Sequence, residues 1–267
     1  MIRALVLLLA LALAATPAAA RDDPAFQQVA AGQPVALRPD RAYVILRVRK
    51  SGHAGWLSPT FLRVPAAAEV EAFGTLRRAA FAKAGERAGP YEEFAFQNKN
   101  FSNIYAVNLG ASFAETETER TVLLDLAPGS YVLVGTGNKR AMWSCFCLGT
   151  VQMIVRGGEL TDAGTFLGDM ASKPSPEPEL ASVTNLGSMA QLDYASMPGA
   201  IRPARAGDSV PPALTDISRT PSDYRAAGAF VLREALLVNF LAPLPGVLDY
   251  HRGEVFDVKR GALVPPR

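Results

Sequence analysis

Between residues 34 and 170 the chain keeps returning to one pattern. Short runs rich in Val, Ile, Leu, Tyr and Phe are separated by Gly, Pro, Asn and Asp. Such runs lie at 42–49, 61–64, 94–96, 104–107, 121–126, 131–134, 145–155 and 160–162. Strands this short, spaced by turn residues, build an antiparallel β-sandwich. In 42–49, Val44, Leu46 and Val48 alternate onto a core face. Tyr43 and Ile45 take the other face, which Arg47 and Arg49 extend toward solvent. Pro128-Gly129 predicts a turn that brings 131–134 back antiparallel to 121–126, and 145–155 reads as one long strand.

A different period interrupts this pattern. Val70, Phe73, Leu76, Ala80, Phe81 and Ala84 recur at spacings of three and four, with Arg77, Arg78, Lys83 and Arg87 on the outer side. This predicts an amphipathic helix over about 66–88, started near Pro65 and stopped at Gly89. Residues 172–182 are Pro-rich and extended, and the chain to about 219 has little periodicity. Thr220-Pro221-Ser222-Asp223 then reads as a helix start, predicting a helix to about 241. A hairpin about 251–253 follows. The expected fold class is therefore mostly β: an antiparallel β-sandwich with an inserted amphipathic helix, plus a C-terminal extended, helix and hairpin region. The expected organisation is a signal peptide at 1–20, a flexible arm at 21–33 and a sandwich domain at 34–170. A Pro-rich, extended segment at 171–219 and a C-terminal helix and hairpin at 220–267 complete it.

The first 20 residues have the layout of a cleaved export signal: Arg3, an apolar run from Ala4 to Ala15, and small residues at Ala18-Ala19-Ala20. The apolar run is short for a bilayer span, so no transmembrane segment is expected after cleavage. The expected location is the periplasm or the extracellular space. Of 27 basic residues one is Arg3, leaving 26 against 25 acidic ones in the mature chain. A nearly neutral chain without a basic block argues against nucleic acid as a partner.

Two segments carry a resemblance: TVLLDLAPGSYVLVG at 121–135 and SCFCLGTVQMIVRGGELTDAGTFLGD at 144–169. Together they resemble an uncharacterised family of exported bacterial proteins with a strand–PG–strand–C-x-C–strand core. The first segment is similar, more loosely, to prealbumin-like and carboxypeptidase-regulatory-like sandwiches. The resemblance implies a sandwich and brings neither an activity nor site residues with it.

Cys145 and Cys147 are the only cysteines, two apart in a predicted strand. Their Cα atoms would sit about 6.6 Å apart with parallel side chains, so a disulfide needs a bend at Phe146. Three readings stay open: a local disulfide, two buried structural thiols, or half of a metal or redox site. His53 and His251 sit beside Gly in predicted turns and read as solvated residues. Glu115, Glu117 and Glu119 form an acidic loop that lacks the Asp/Asn-Gly pattern of a calcium site. Tyr43, Trp56, Tyr91, Tyr105, Tyr131 and Trp143 read mainly as packing. Trp56 and Trp143, both near turns, are the candidates for a ligand-facing surface.

No G-x-S-x-G, H-E-x-x-H or Gly-rich phosphate loop occurs, which weighs against an enzyme and calls for no cofactor. The expected function is an exported, non-catalytic envelope protein, a binding or structural module for an unknown envelope protein, peptide or glycan. The alternative is a thiol-dependent metal-binding or redox protein using the C-x-C pair.

Overall fold

A computed structural model describes residues 25–52, 55–96, 103–138, 143–145, 151–168, 199–226, 229–232, 241–244, 249–251, 254–257 and 262–263. The predicted export signal, the Pro-rich run at 172–182, His53 and Cys147 lie outside these residues. The first strands are β1 (Phe26–Val29), β2 (Ala42–Arg49) and β3 (Ser58–Arg63), followed by helix α1 (Ala67–Ala84). Then come β4 (Ile104–Ala106), β5 (Ala114–Glu115), β6 (Glu119–Leu126), β7 (Gly129–Asn138), β8 (Trp143–Cys145) and β9 (Val151–Val155). After these run β10 (Leu160–Gly168), β11 (Gly199–Arg202), β12 (Arg219–Pro221) and β13 (Arg225–Ala226). The last are β14 (Ala229–Leu232), β15 (Leu241–Leu244), β16 (Asp249–His251), β17 (Glu254–Asp257) and β18 (Ala262–Leu263).

Two larger sheets form a mostly antiparallel β-sandwich. The first has the order β1-β6-β2-β10-β11, with β5 also on β6 and β12 also on β10. The second has the order β13-β9-β7-β3-β4, with β8 also on β7. Ala42, Val44, Leu46 and Val48, with Phe166 of the adjacent β10, face Phe61, Tyr131, Leu133 and Met153 across the interior, as the alternation in β2 predicts. The opposite face of β2 is covered too. Tyr43 and Ile45 pack with Phe113, Leu123, Leu160 and Leu214, under Val35, Leu37, Val210 and Ile217. Arg47 lies on that covered face and is fully buried, 0% exposed, so the expectation that it reaches solvent is corrected.

The sequence Pro128-Gly129 does not make a hairpin. β6 belongs to the first sheet and β7 to the second, so this turn carries the chain across the sandwich. Tyr131, buried in the interior, fixes the crossing: its hydroxyl donates to Ala127 O at 2.8 Å, with Ala25 O at 3.2 Å. The expected strand over 145–155 is likewise divided. Cys145 pairs with Thr136 and Val151 with Leu133, so six residues on one side match three on β7.

Part of the arm at 21–33 is ordered. β1 closes the β6 edge, Phe26 stacks on Tyr105 at 4.7 Å, and the Gln28 side chain exchanges hydrogen bonds with the Asn108 backbone. The expected helix over 220–241 is not formed at its described residues: 220–221, 225–226, 229–232 and 241 are in strands and 222–224 have no regular structure. The local start signal loses to the sheet edge. Ser222 N donates to Asp162 O, and the β-forming Phe230 and Val231 pair with Pro243 and Ala242. The predicted C-terminal hairpin is present as β16 and β17.

Helix α1 folds onto the segment that follows it. Phe73 meets Phe96, and Phe81 meets Tyr91 and Phe94 edge-on. Arg77, expected outside, is buried: it lies over the Tyr91 ring and donates to Tyr91 O and Phe94 O, while Val70 and Leu76 are exposed. Arg63 at the end of β3 forks onto Glu69, whose carboxylate also accepts from Ala66 N at 2.7 Å and so caps the helix. No helix of the described residues is long and apolar enough to cross a membrane.

Tyr131→Phe removes the hydroxyl that ties the β6–β7 crossing and leaves Ala127 O without that donor. The expected cost is about 1–2 kcal/mol in urea unfolding, with the slope of the transition unchanged.

Candidate functional site

Strand β10 changes edge partner along its length. Leu160–Asp162 pair with β12 in parallel, and Thr165–Gly168 pair with β11 antiparallel. Between these two ladders the register shifts, leaving Ala163 and Gly164 as a bulge. Gly164 has φ 77°, and a Cβ there would stand 2.1 Å from Arg202 O. Only glycine meets both demands.

A bulge frees backbone groups that burial requires to be paired. Here side chains and the returning chain supply the partners. Gly164 N donates to Asp162 Oδ1 at 2.9 Å, and Ala163 O accepts from the Tyr224 hydroxyl at 2.6 Å. Asp162 O accepts from Ser222 N, and Gly164 O lies 3.4 Å from Arg47 Nη1. Burial raises the Tyr224 hydroxyl's pKa, keeping it a neutral donor.

Arg47 forks onto Asp162 with distances of 2.7 and 3.0 Å, and its Nε donates to Ser209 O at 2.7 Å. Arg202 forks onto Asp208 and also reaches Thr165 Oγ1, while Asp208 accepts from Arg205 N. Burial alone would lower the Arg47 pKa. The hydrogen bond and charge of Asp162, with Asp208 and Glu119 beyond, reverse this and hold it raised. Burial likewise opposes ionisation of Asp208, but hydrogen bonds from Arg202 and the Arg205 amide hold its carboxyl below the ordinary range.

Beside this network opens a cavity of about 650 Å³. Asp162 lies at its floor. Ala204, Arg205 and Ala206 follow β11 on one side, and Thr215, Asp216, Ile217, Ser218, Arg219 and Pro221 line the other. Arg219 approaches Asp162 at 3.7 Å, longer than a hydrogen bond. The lining holds two guanidiniums, two carboxylates and two hydroxyls. It holds no His, Cys or Lys, and its groups of base or nucleophile type are the carboxylates and hydroxyls just named.

The residues expected to carry function lie elsewhere. Trp56 is half-buried against the core, and Arg120 sits over its ring at 4.5 Å. Trp143 and Cys145 are placed by backbone at the two ends of β8, opposite Asn138 and Thr136. His251 ends β16 opposite Glu254. Glu115 accepts from Arg120 and Ser112, Glu119 accepts from Ser209, and Glu117 is exposed. Among the described residues no group of three or more His, Cys, Asp or Glu side chains is placed to hold a metal ion. The charged cleft was missed because its members come from four strands and two loops. The usable signals were Arg47 in an apolar strand and Gly164 inside another.

No protein-family model matches the chain, and no curated protein or solved structure is similar to it.

Gly164→Ala forces a left-handed conformation on a residue with Cβ and drives that atom into the Arg202 carbonyl. It is expected to cost about 3 kcal/mol or more by denaturant unfolding. Asp208 gives a pH signature. Its folded pKa is depressed, so the unfolded chain takes up protons first as pH falls. The stability it contributes is complete above about pH 5 and is lost as pH falls through the folded value. Asp208→Asn should therefore lower the thermal midpoint at about pH 7 and shrink its fall between about pH 6 and about pH 3.

Proposed function

We propose that this chain is an exported, non-catalytic binding module of the cell envelope. It works in the periplasm or outside the cell and takes a small solute, or the end of a peptide or glycan, in the cleft beside Asp162. The observation that carries this reading is the charged floor. Arg47 and Asp162 are almost wholly buried and fully hydrogen-bonded, directly beneath a cavity of about 650 Å³. Cavities of roughly 300–1,000 Å³ suit small ligands. A buried ion pair is a poor source of stability, because desolvation consumes most of its attraction. As a rigid, pre-organised base for recognition it has a clear use, since little ordering remains to be done when a ligand arrives. The layout of residues 1–20 and the resemblance to exported bacterial proteins support the location. The guanidiniums, carboxylates and hydroxyls of the lining supply donors and acceptors for a polar ligand, which supports a binding role.

Ala206 lies on the cleft wall and is exposed, so a larger side chain there fills the cavity without entering the core. Titration of ¹⁵N-labelled mature protein with a panel of tripeptides and oligosaccharides is expected to shift amides at 204–206 and 215–221. Ala206→Trp should abolish those shifts while leaving the thermal midpoint within a degree or so. Turnover of a panel member, or shifts confined to another face, contradicts the reading.

A further inference from the structure

Resting on that reading, we infer that the cleft selects ligands bearing a carboxylate, and that Arg219 is the residue that grips it. Asp162 has little left to offer a ligand. Its Oδ1 already accepts from Arg47 Nη1 and from Gly164 N, and its Oδ2 accepts from Arg47 Nη2 at 3.0 Å. Arg47 is buried and cannot be displaced by solvent. Asp162 is thus both neutralised and occupied from below. Arg219 comes only to 3.7 Å of Oδ2, an electrostatic approach without a hydrogen bond, and its side chain is 35% exposed. The guanidinium is therefore steered into the cleft by a carboxylate that does not consume its donors. A planar fork that lines an open cavity and makes no hydrogen bond to the carboxylate beside it is suited to bind a ligand carboxylate through two parallel hydrogen bonds.

The local charge agrees. Arg47 beneath already neutralises Asp162, so Arg219 in the lining is not cancelled by that carboxylate. Asp208 and Arg202 compensate each other close by. A phosphate dianion would meet Asp216 and Asp162 across the same space, with twice the repulsion of a single carboxylate. The Thr215 and Ser218 hydroxyls and Asp216, all in the lining, suit a ligand that presents hydroxyl or ammonium donors beside its carboxylate. Acidic sugars and free peptide C-termini share that chemistry.

Calorimetric titration of the mature, full-length protein tests this with matched probes. Glucuronate is compared with glucuronamide, trialanine with trialanine amide, and inorganic phosphate is run alongside. The expected result is saturable binding of glucuronate or trialanine, with the neutral amide about 10- to 100-fold weaker and phosphate weaker than either acid. Whichever acid binds identifies the source of the carboxylate. Arg219→Gln should weaken that acid by a similar factor, Arg219→Lys by less, and Arg78→Gln, on the exposed side of α1, not at all. The thermal midpoint of Arg219→Gln should stay unchanged, since Asp162 remains paired with Arg47 and the 3.7 Å approach of the part-exposed Arg219 includes no hydrogen bond. If acid and amide bind alike and still shift the cleft amides, the carboxylate inference falls while the binding reading stands. Phosphate binding more tightly than both acids, or unaltered affinity in Arg219→Gln, also overturns it. Failure of both acids to bind overturns the inference and removes the support it lends to the cleft.

Discussion

A buried guanidinium on β2 and a carboxylate on the neighbouring β10 hold together much of what is distinctive here. The Arg47–Asp162 pair faces outward from the first sheet, where a sandwich would ordinarily meet water. It is dry because the chain from β11 to β12 lies over it. That segment stays in place because its own groups complete the network: Ser209 O accepts from Arg47, Asp208 holds Arg202, and Ser222 N reaches Asp162 O. Each half is the condition for the other. Removing either charge would leave the remaining one desolvated, a loss of about 3–5 kcal/mol in comparable settings.

The same economy of partners appears at both edges of the first sheet. The β6 edge is shared by β1 and β5, and the β10 edge by β11 and β12. Short strands taken in succession leave no long open ladder for another chain to join. At β10 the handover coincides with the bulge at Ala163 and Gly164, and the cleft opens at that break. The cavity follows from edge geometry: where one strand departs before the next arrives, the backbone bends away and side chains take over its hydrogen bonding.

Much of the fold is legible in the sequence because it rests on short-range periodicity. The alternation of Val44, Leu46 and Val48 gives the inner face of β2 correctly, and the strand-rich pattern gives the sandwich. The spacing of Phe73 and Phe81 marks the α1 face that packs. What short-range patterns miss is pairing across distance. Pro128-Gly129 signals a turn but not whether its strands join one sheet or two. Thr220-Pro221 signals a helix start, yet the edge of β10 captures the residues around it. The cleft is the extreme case. Arg47, Asp162, Arg202 and Arg219 span more than half the chain, and their meeting depends on a strand order that no local pattern encodes. Cys145, one of the most conspicuous pair in the sequence, belongs to β8 of the second sheet and is not among the cleft's members.

The central claim is that the Arg47–Asp162 pair fastens the segment from β11 to β12 over the first sheet and so creates the cleft. Hydrogen exchange of the Arg47→Gln variant against the parent protein, read segment by segment, tests it most directly. The account predicts that protection falls selectively in residues 199–222, while 122–126 and 131–134 in the sandwich interior keep theirs. Equal loss across all segments, or unchanged protection over 199–222, would contradict it.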